Sequence, residues 1–272
     1  MLKSIELYFE LLDFAKPKLM FFLKNYPLHE SQLNFTEFNK ECYRKIYIEL
    51  RQNKKIISRK ELIKLIPSLD TVCKNCWKFY ISPRSNSIKS LDIKFGKKFE
   101  EVFMDFLSNK GFVCKDGDQI KKNYPNIAIL NSREKPVCYL ELKYIAAPFL
   151  TVYQKIKGRE CYEGSLTLDV DEKLKLQRKI VEEEIKVPVF YVYWADFPCI
   201  KGIFFVEGKK VYEYVDEVGL EYTRKARSGN FIQRTNGEVV EIGHREKVYL
   251  PLFEMEDFER LLEILIALIK EG

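Results

Sequence analysis

The residues of this chain best suited to chemistry lie in segment 124–144, YPNIAILNSREKPVCYLELKY. Apolar and β-branched residues on both sides of a turn-rich stretch, 131–136, predict a β-hairpin. Side chains alternate across a strand, so Glu141 and Lys143 share one face near the end of the second strand. Strand pairing brings Asn126, at the start of the first strand, opposite that end. The hairpin therefore predicts three converging polar side chains, a set suited to phosphodiester hydrolysis.

Two motifs of this hairpin, Pro125-Asn126 and Glu141-Leu142-Lys143, resemble those of the PD-(D/E)XK nuclease superfamily. In that superfamily a Pro-Asp pair opens one strand, and an acidic residue, any residue and a lysine close the next. The resemblance implies an α/β fold with a restriction-endonuclease-like αβββαβ core. The competing interpretation of Glu141 and Lys143 is an ordinary ion pair on one face of a strand.

The resemblance extends to both sides of the hairpin. Upstream, segment 96–112 is similar to the first core helix of the superfamily, with Glu100 one turn after a glycine. Downstream, a charged helix around 173–177 and a strand at 187–194 are similar to the elements that complete the core. The ordered set of helix, hairpin, helix and strand favours the nuclease interpretation, and it covers about residues 92–196.

The resemblance also implies how a cofactor would be held. Asn126, Glu141, Glu100 and the backbone carbonyl of Leu142 would hold Mg²⁺, and Glu101 is the alternative to Glu100. A metal ion in such a site polarises the scissile phosphate and lowers the pKa of the attacking water. An exposed position on a helix is the alternative interpretation of both Glu100 and Glu101.

Two further roles follow from the same resemblance. Lys143 would orient or deprotonate the attacking water and stabilise charge on the phosphate. Gln177 and Lys173, one turn apart on the later helix, would position the water or the DNA backbone. For this pair too, an exposed helix surface is the alternative interpretation.

The chain departs from the superfamily pattern at one position, because Asn126 stands where an acid is expected. An amide offers an oxygen but no charge, and Mg²⁺ prefers carboxylate oxygen and water. Three interpretations follow: metal binding is naturally weakened, the acid was replaced deliberately to inactivate the protein, or Asp116 or Asp118 supplies the charge. We favour the second, and we favour a solvated turn for the two aspartates.

The composition predicts a globular protein of the reducing cytoplasm. The chain has 272 residues, which suffice for one large or two modest domains, and seven irregularly spaced cysteines, unlike a disulfide framework. No apolar run is long enough to span a membrane, and no secretory signal is expected. The formal charge of +6 is compatible with a nucleic-acid partner but does not establish one.

Residues 1–90 predict a helical N-terminal domain, separated by a linker at 81–90 from a nuclease-like domain at 91–272. Helices are expected at 34–51, at 59–66 after a Ser-x-x-Glu capping box, and at 69–80. This outline is typical of a helix-turn-helix, although a plain helical bundle is the favoured alternative. Basic residues beside it would contact DNA phosphates: Arg51, Lys54 and Lys55.

Two cysteines one helical turn apart, Cys73 and Cys76, have the spacing of one half of a zinc site. No second Cys pair or His pair stands at finger-like spacing. Two small buried residues on one helix face are therefore the favoured interpretation.

The C-terminal quarter predicts a strand and helix extension. We expect a hairpin at 200–215, a strand-like stretch at 239–252, and an amphipathic helix at 255–270 that covers the sheet or forms a homodimer interface. Between them lies a basic, flexible stretch that either grips DNA or forms a solvated loop, and its cationic residues are Arg224, Lys225, Arg227 and Arg234.

Taken together, the residues and the resemblance predict a Mg²⁺-dependent type II restriction endonuclease that cuts double-stranded DNA at a short sequence. The extra N-terminal region favours a sequence reader over a minimal nuclease. One alternative is a Holliday-junction or repair nuclease on the same core. Another is a DNA-binding protein that keeps the fold but not the reaction, which Asn126 favours if it is natural.

Overall fold

The computed structural model describes residues 2–24, 26, 28–81, 89–170, 172–226, 230–241 and 245–272. Residues 82–88 of the linker predicted at 81–90 lie outside the described residues, as does Arg227, while residues 81, 89 and 90 are helical. For Lys173 the structure describes the backbone but not the side chain.

Helices occupy most of the described N-terminal third and also flank the sheet. The helices predicted around 34–51, 59–66 and 69–80 are confirmed, although the first continues from α2 as a π-helix over Tyr43–Leu50. The α-helices are α1 (Leu2–Leu23), α2 (Glu37–Cys42), α3 (Arg59–Leu65), α4 (Leu69–Ile81), α5 (Lys89–Asn109), α6 (Gly117–Ile120), α7 (Val152–Lys155), α8 (Glu172–Glu183), α9 (Gly208–Val218) and α10 (Phe258–Glu271).

The strands form a mixed main sheet and two small antiparallel sheets. Their bounds are β1 (Val113–Asp116), β2 (Ile127–Leu130), β3 (Pro136–Ile145), β4 (Leu166–Asp169), β5 (Val189–Asp196), β6 (Lys201–Glu207), β7 (Tyr222–Thr223), β8 (Phe231–Gln233), β9 (Val239–Glu241), β10 (Glu246–Leu250) and β11 (Glu256–Asp257). Among the described residues, the main sheet has six strands in the order β1-β2-β3-β5-β6-β11. The small sheets are β4-β10-β7 and β8-β9.

The centre of the main sheet is its parallel pair, β3 and β5. All residues of β5 are buried, as expected for a strand covered on both faces. The other neighbours in this sheet pair antiparallel, and β2 with β3 forms the hairpin that the sequence predicts. The α/β class, the helical N-terminal region and the C-terminal helix are thus confirmed.

Two hydrophobic cores lie on opposite faces of the main sheet, because alternate residues of β5 enter different cores. Trp194 belongs to a core that also contains Leu11 of α1 and Phe103 of α5. On the other face, Tyr193 belongs to a core that also contains Ile46 of the π-helix. Helices of the N-terminal region therefore contribute to both cores.

The capping box predicted before α3 is confirmed. The backbone N–H of Glu61 donates to the Ser58 hydroxyl at 3.4 Å, and the Glu61 carboxylate accepts from the Ser58 backbone N–H at 2.9 Å. These contacts satisfy amides that the first turn of a helix leaves without partners.

The hairpin predicted over 200–215 is wrong. The chain forms β6 and then enters α9 directly, with Glu207 as the residue before the helix. Val211, Tyr212 and Val215 stand at helical spacing, and together they cover the second core. The strong amphipathic pattern of this segment, with a period of 3.6 residues, outweighs the turn preference of its glycine.

The strand-like stretch predicted over 239–252 is divided between two sheets. β9 pairs with β8, while β10 pairs with both β4 and β7. The apolar face of α10 packs on the main sheet through Phe258, Leu261 and Leu265, as the sequence predicts by default. In the part of the chain that is described, no helix combines the length and the apolar character that a membrane crossing requires.

Candidate active site

Strand pairing places three predicted site residues together. The side-chain oxygen of Asn126 accepts a hydrogen bond of 2.8 Å from the backbone N–H of Leu142, between Glu141 and Lys143. The Lys143 ammonium lies 3.7 Å from the Glu141 carboxylate, because the two residues share one face of β3. Leu142 points to the opposite face, where it enters the first core. The start of β2 and the end of β3 thus meet as the alternation predicts.

The Glu141 carboxylate is buried, and a fourth predicted residue holds it. Glu141 is 3 % exposed, and it accepts a hydrogen bond of 2.8 Å from the Gln177 amide of α8. The Gln177 oxygen in turn accepts from the Tyr191 hydroxyl at 2.9 Å. Since both ends of the Gln177 amide are engaged, the orientation of the buried carboxylate is fixed by α8 and β5 together.

Two tyrosines of β5 that we did not predict complete this face of the sheet. The parallel register places Tyr191 beside Glu141 and Tyr193 beside Lys143. The Tyr193 hydroxyl is buried and has no hydrogen-bond partner among the described residues. Burial raises the pKa of Tyr193, and the nearby Glu141 carboxylate raises it further. The Tyr193 hydroxyl therefore stays protonated and is a free donor beside the carboxylate.

The end of β1 supports the strand that carries Asn126. The Gly117 N–H donates to the Asn126 carbonyl at 2.9 Å, and a Cβ at Gly117 would overlap the Pro125 carbonyl oxygen. Only glycine allows the two backbones to approach this closely. The carboxylate of Asp116, one residue earlier, accepts a hydrogen bond of 2.8 Å from the Lys97 ammonium. It also accepts from the backbone N–H of Asp118 and so caps the start of α6.

The other two predicted acids, Glu100 and Glu101, lie on α5 and form ion pairs with lysines of the same helix. Glu100 is 3.6 Å from the ammonium of Lys97, the same group that binds Asp116. Glu101 instead pairs with Lys98 at 3.0 Å on the exposed side of α5. The structure therefore groups Glu100 with the Asp116 alternative and turns Glu101 to solvent.

A second lysine near Lys143 was also missed. Lys247 of β10 forms an ion pair with Asp169 of β4, the residue opposite it in the antiparallel register. Burial, and then repulsion from the Lys143 ammonium, lower the pKa of Lys247 to about 8. No local pattern in the sequence indicates this residue, because its proximity to β3 depends on how the small sheet packs in the tertiary fold.

Most of the predicted DNA-binding residues that the structure describes carry intramolecular contacts. Arg51 donates to the Phe253 carbonyl at 3.2 Å and pairs with Glu256 at 2.8 Å. Lys54 lies 3.3 Å from Glu254. Lys55 and Lys225 are exposed.

The two described arginines of the C-terminal basic stretch also contact their own chain. Arg234 pairs with Glu238 at 3.0 Å, and Arg224 contacts Asn230 at 3.4 Å. Arg224 is half-buried, and its Nε has no hydrogen-bond partner among the described residues.

With asparagine at position 126, the four converging residues do not fit a Mg²⁺ site. Glu141 is the one carboxylate among the four residues that converge, and the Asn126 oxygen is already bound to Leu142 N–H. Across the described residues, no three histidine, cysteine or acidic side chains form a metal-binding group. Mg²⁺ is usually held by one or two carboxylates together with water and substrate phosphate, and this set supplies a single carboxylate, which Gln177 and Lys143 already engage.

Comparison with known proteins does not assign this chain to a family. No family model, curated protein or solved structure matches the chain. The contacts around Glu141 are thus the basis on which a function is proposed.

Proposed function

We propose that this chain is an endonuclease of the PD-(D/E)XK type, in a form whose metal-binding acid is replaced by Asn126. The main supporting observation is the bond of 2.8 Å from Leu142 N–H to Asn126, which puts position 126 beside Glu141 and Lys143. The element order supports the proposal. α5, β1, β2, β3, α8 and β5 follow the αβββαβ order, with β3 parallel to β5, although α6, α7 and β4 intervene.

An acid at position 126 would supply the missing charge. One oxygen of the introduced carboxylate would keep the bond to Leu142 N–H, and the other would be available to a cation shared with Glu141. Mg²⁺ would then have two carboxylates, and its chemistry is to polarise the phosphate and acidify a bound water. Position 126 is therefore the one that departs from the active pattern, whereas Glu141 and Lys143 already match it.

The other residues act on the water and the phosphate. The Lys143 ammonium orients the water and stabilises charge on the phosphate. Gln177 fixes the rotamer of Glu141 through the hydrogen bond that it donates. The substrate class is duplex DNA, cut at a short sequence by a cytoplasmic homodimer, as in type II restriction; a junction or repair nuclease would use the same site.

One observation favours a second function. The Asn126 side chain already bonds to Leu142 N–H, and its amide supplies no charge for a metal ion. A DNA-binding protein that retains the fold without the reaction fits this state of the site. The two functions differ in what an acid at position 126 does.

The deciding experiment is a cleavage assay on the Asn126→Asp variant beside the unaltered chain. We expect Asn126→Asp to create or greatly increase cleavage of mixed-sequence duplex DNA in Mg²⁺ or Mn²⁺, because it supplies the second carboxylate. Asn126→Ala is the control, since it removes the acceptor of Leu142 N–H and adds no charge. A folded Asn126→Asp chain that cuts none of many sequences would contradict the nuclease proposal.

A second experiment locates the DNA. Lys55→Ala and Lys225→Ala, which remove exposed cations, should weaken specific and nonspecific binding alike. For each phosphate that is no longer neutralised, the log-log salt dependence should flatten by about 0.9. Lys270→Ala is the control, because α10 packs on the sheet face opposite Glu141. Titrations at several salt concentrations measure the DNA affinity and its salt dependence. Unchanged slopes for both lysine variants would show that the DNA does not contact these two residues.

We expect a second kind of behaviour from the arginines of the C-terminal basic stretch. At least one of Arg224, Arg227 and Arg234 should read bases, so its alanine variant should cost about 1–3 kcal/mol mainly on the preferred sequence. Arg51 and Lys54 must exchange their contacts with Glu256 and Glu254 for phosphates before they contribute. Titration on specific and scrambled duplexes separates the two behaviours.

A further inference from the structure

One arginine holds two buried carboxylates beside the small sheet formed by β4, β10 and β7. Arg159 and Glu163 lie in the segment 156–165 between α7 and β4, and Glu221 lies between α9 and β7. The Arg159 guanidinium is 2.7 Å from the Glu163 carboxylate and 3.8 Å from the Glu221 carboxylate. The side chains of Arg159, Glu163 and Glu221 are only 11 %, 1 % and 9 % exposed, so water solvates these charges poorly.

Hydrogen bonds of this cluster tie the segment that carries Arg159 to β10 and its surroundings. Arg159 also donates to the Tyr249 carbonyl of β10 at 3.1 Å. The Glu221 carboxylate accepts from the Tyr249 backbone N–H at 2.6 Å. The Glu163 carbonyl accepts from the backbone N–H of Leu252, just after β10, at 3.2 Å. The position of the segment therefore depends on the balance of charge in the cluster.

The cluster contains one negative charge too many when both carboxyl groups are ionised. Among the described residues, neither carboxylate has a second cation within ion-pair distance. Both oxygens of Glu221 have partners, whereas the buried Oε2 atom of Glu163 has no hydrogen-bond partner in the described part of the chain. A buried charge without a partner is costly, so one bound proton on Glu163 makes the cluster neutral and stabilises it.

The groups that face Glu163 favour this proton. Burial raises the pKa of the Glu163 carboxyl to about 7, and Arg159 offsets only part of this rise. The carboxylates of Glu221 and of Glu254, which follows β10, repel a charge on Glu163 and raise its pKa as well. The Tyr214 hydroxyl of α9 accepts from Arg159 and stays protonated, because burial raises its pKa to about 12. The proton on Glu163 is therefore exchanged near neutral pH.

We propose that the cluster of Arg159, Glu163 and Glu221 is a pH-sensitive latch, which holds segment 156–165 closed when Glu163 is protonated and loosens it when Glu163 is ionised. A carboxyl whose pKa is higher in the closed state than in the open state stabilises the closed state at low pH. This stabilisation is complete below the ordinary glutamate pKa of 4.5, and it is lost as the pH rises to about 7. The latch lies in the connection from β3 to α8, and it does not depend on the proposed nuclease activity.

The test is hydrogen exchange of the 156–165 backbone amides in the full chain, measured at a series of pH values and corrected for the intrinsic exchange rate. In the unaltered chain the opening constant should rise by up to about tenfold per pH unit between the two pKa values, and then level off. Glu163→Gln, which cannot ionise, should abolish this rise. Glu213→Gln is the matched control and should keep it, because Glu213 of α9 is 63 % exposed. Equal pH profiles in the unaltered and Glu163→Gln chains overturn the proposal.

A second measurement needs only the unaltered chain, and it decides if Glu163→Gln fails to fold. Carboxyl-carbon NMR of a chain with isotope-labelled glutamate follows the ionisation of its glutamate side chains. We expect one carboxyl carbon to titrate near pH 7, and this signal should be missing from a folded Glu163→Gln chain. If every glutamate carboxyl titrates close to the usual pKa of about 4.3, Glu163 is not protonated near neutral pH and the proposal is overturned.

Discussion

In the Asn126→Asp chain, Lys143→Ala will lower the rate of DNA cleavage by about 10²–10⁴-fold, the range expected for loss of a positioned proton-transfer group. The reason is geometric. The Lys143 ammonium lies 3.7 Å from the Glu141 carboxylate, on the face of β3 that position 126 adjoins. Lys247, the nearby lysine of β10, does not replace it directly, since Asp169 engages its ammonium. Single-turnover assays on a cleaved duplex measure the effect.

Binding separates a catalytic loss from a structural one. DNA affinity of the Lys143→Ala chain should stay close to that of its parent, because Lys143 is assigned to the reaction and not to sequence reading. Lys270→Ala, on the opposite face of the sheet, should cut at the parental rate. If Lys143→Ala also cuts at that rate while binding normally, Lys143 does not belong to the active site.

The part of the site that the sequence predicts is the part built by local geometry. Asn126, Glu141 and Lys143 belong to one hairpin, where side-chain alternation and a short turn determine which groups meet. Gln177 was predicted through the resemblance alone, and its bond to Glu141 depends on how α8 crosses the sheet. Local pattern and resemblance together thus describe four converging residues.

The residues that were missed depend on long-range pairing. Tyr193 stands beside Lys143 only because β5 pairs parallel with β3, a pairing that β4 and α8 make possible. Lys247 reaches the same region from a different sheet. The spacing of apolar residues, with a period of 2 in strands and 3.6 in helices, indicates local structure only. It could not predict these contacts between distant segments.

The error at α9 has a different origin. A glycine between two apolar runs predicts a hairpin turn, and the same residues also satisfy a helix of period 3.6. Tertiary packing selects the helix, since Val211 and Tyr212 fill the second core beside β5. Short apolar runs are ambiguous until the surface that they cover is known.

The largest expected effect on stability comes from a charge pair at the centre of the molecule. Lys201 and Asp196 are both fully buried and form an ion pair across the β5–β6 turn. Asp196 also accepts from the Tyr144 hydroxyl and from Leu33 N–H, each at 2.8 Å, and Lys201 donates to the Ser31 carbonyl at 2.9 Å. The pair thus joins the segment after α1 to the sheet.

Lys201→Met will lower the free energy of unfolding by about 3–5 kcal/mol, because it leaves the Asp196 carboxylate buried without its counter-charge. Chemical denaturation of the two chains measures this difference. Lys209→Met is the matched control: Lys209 is 81 % exposed and 3.9 Å from Glu213, and an exposed pair contributes only about 0–1 kcal/mol. The double variant Asp196→Asn, Lys201→Met should recover part of the loss, since it removes both charges together. A Lys201→Met chain as stable as the Lys209→Met chain would show that the buried pair does not hold the N-terminal segment to the sheet.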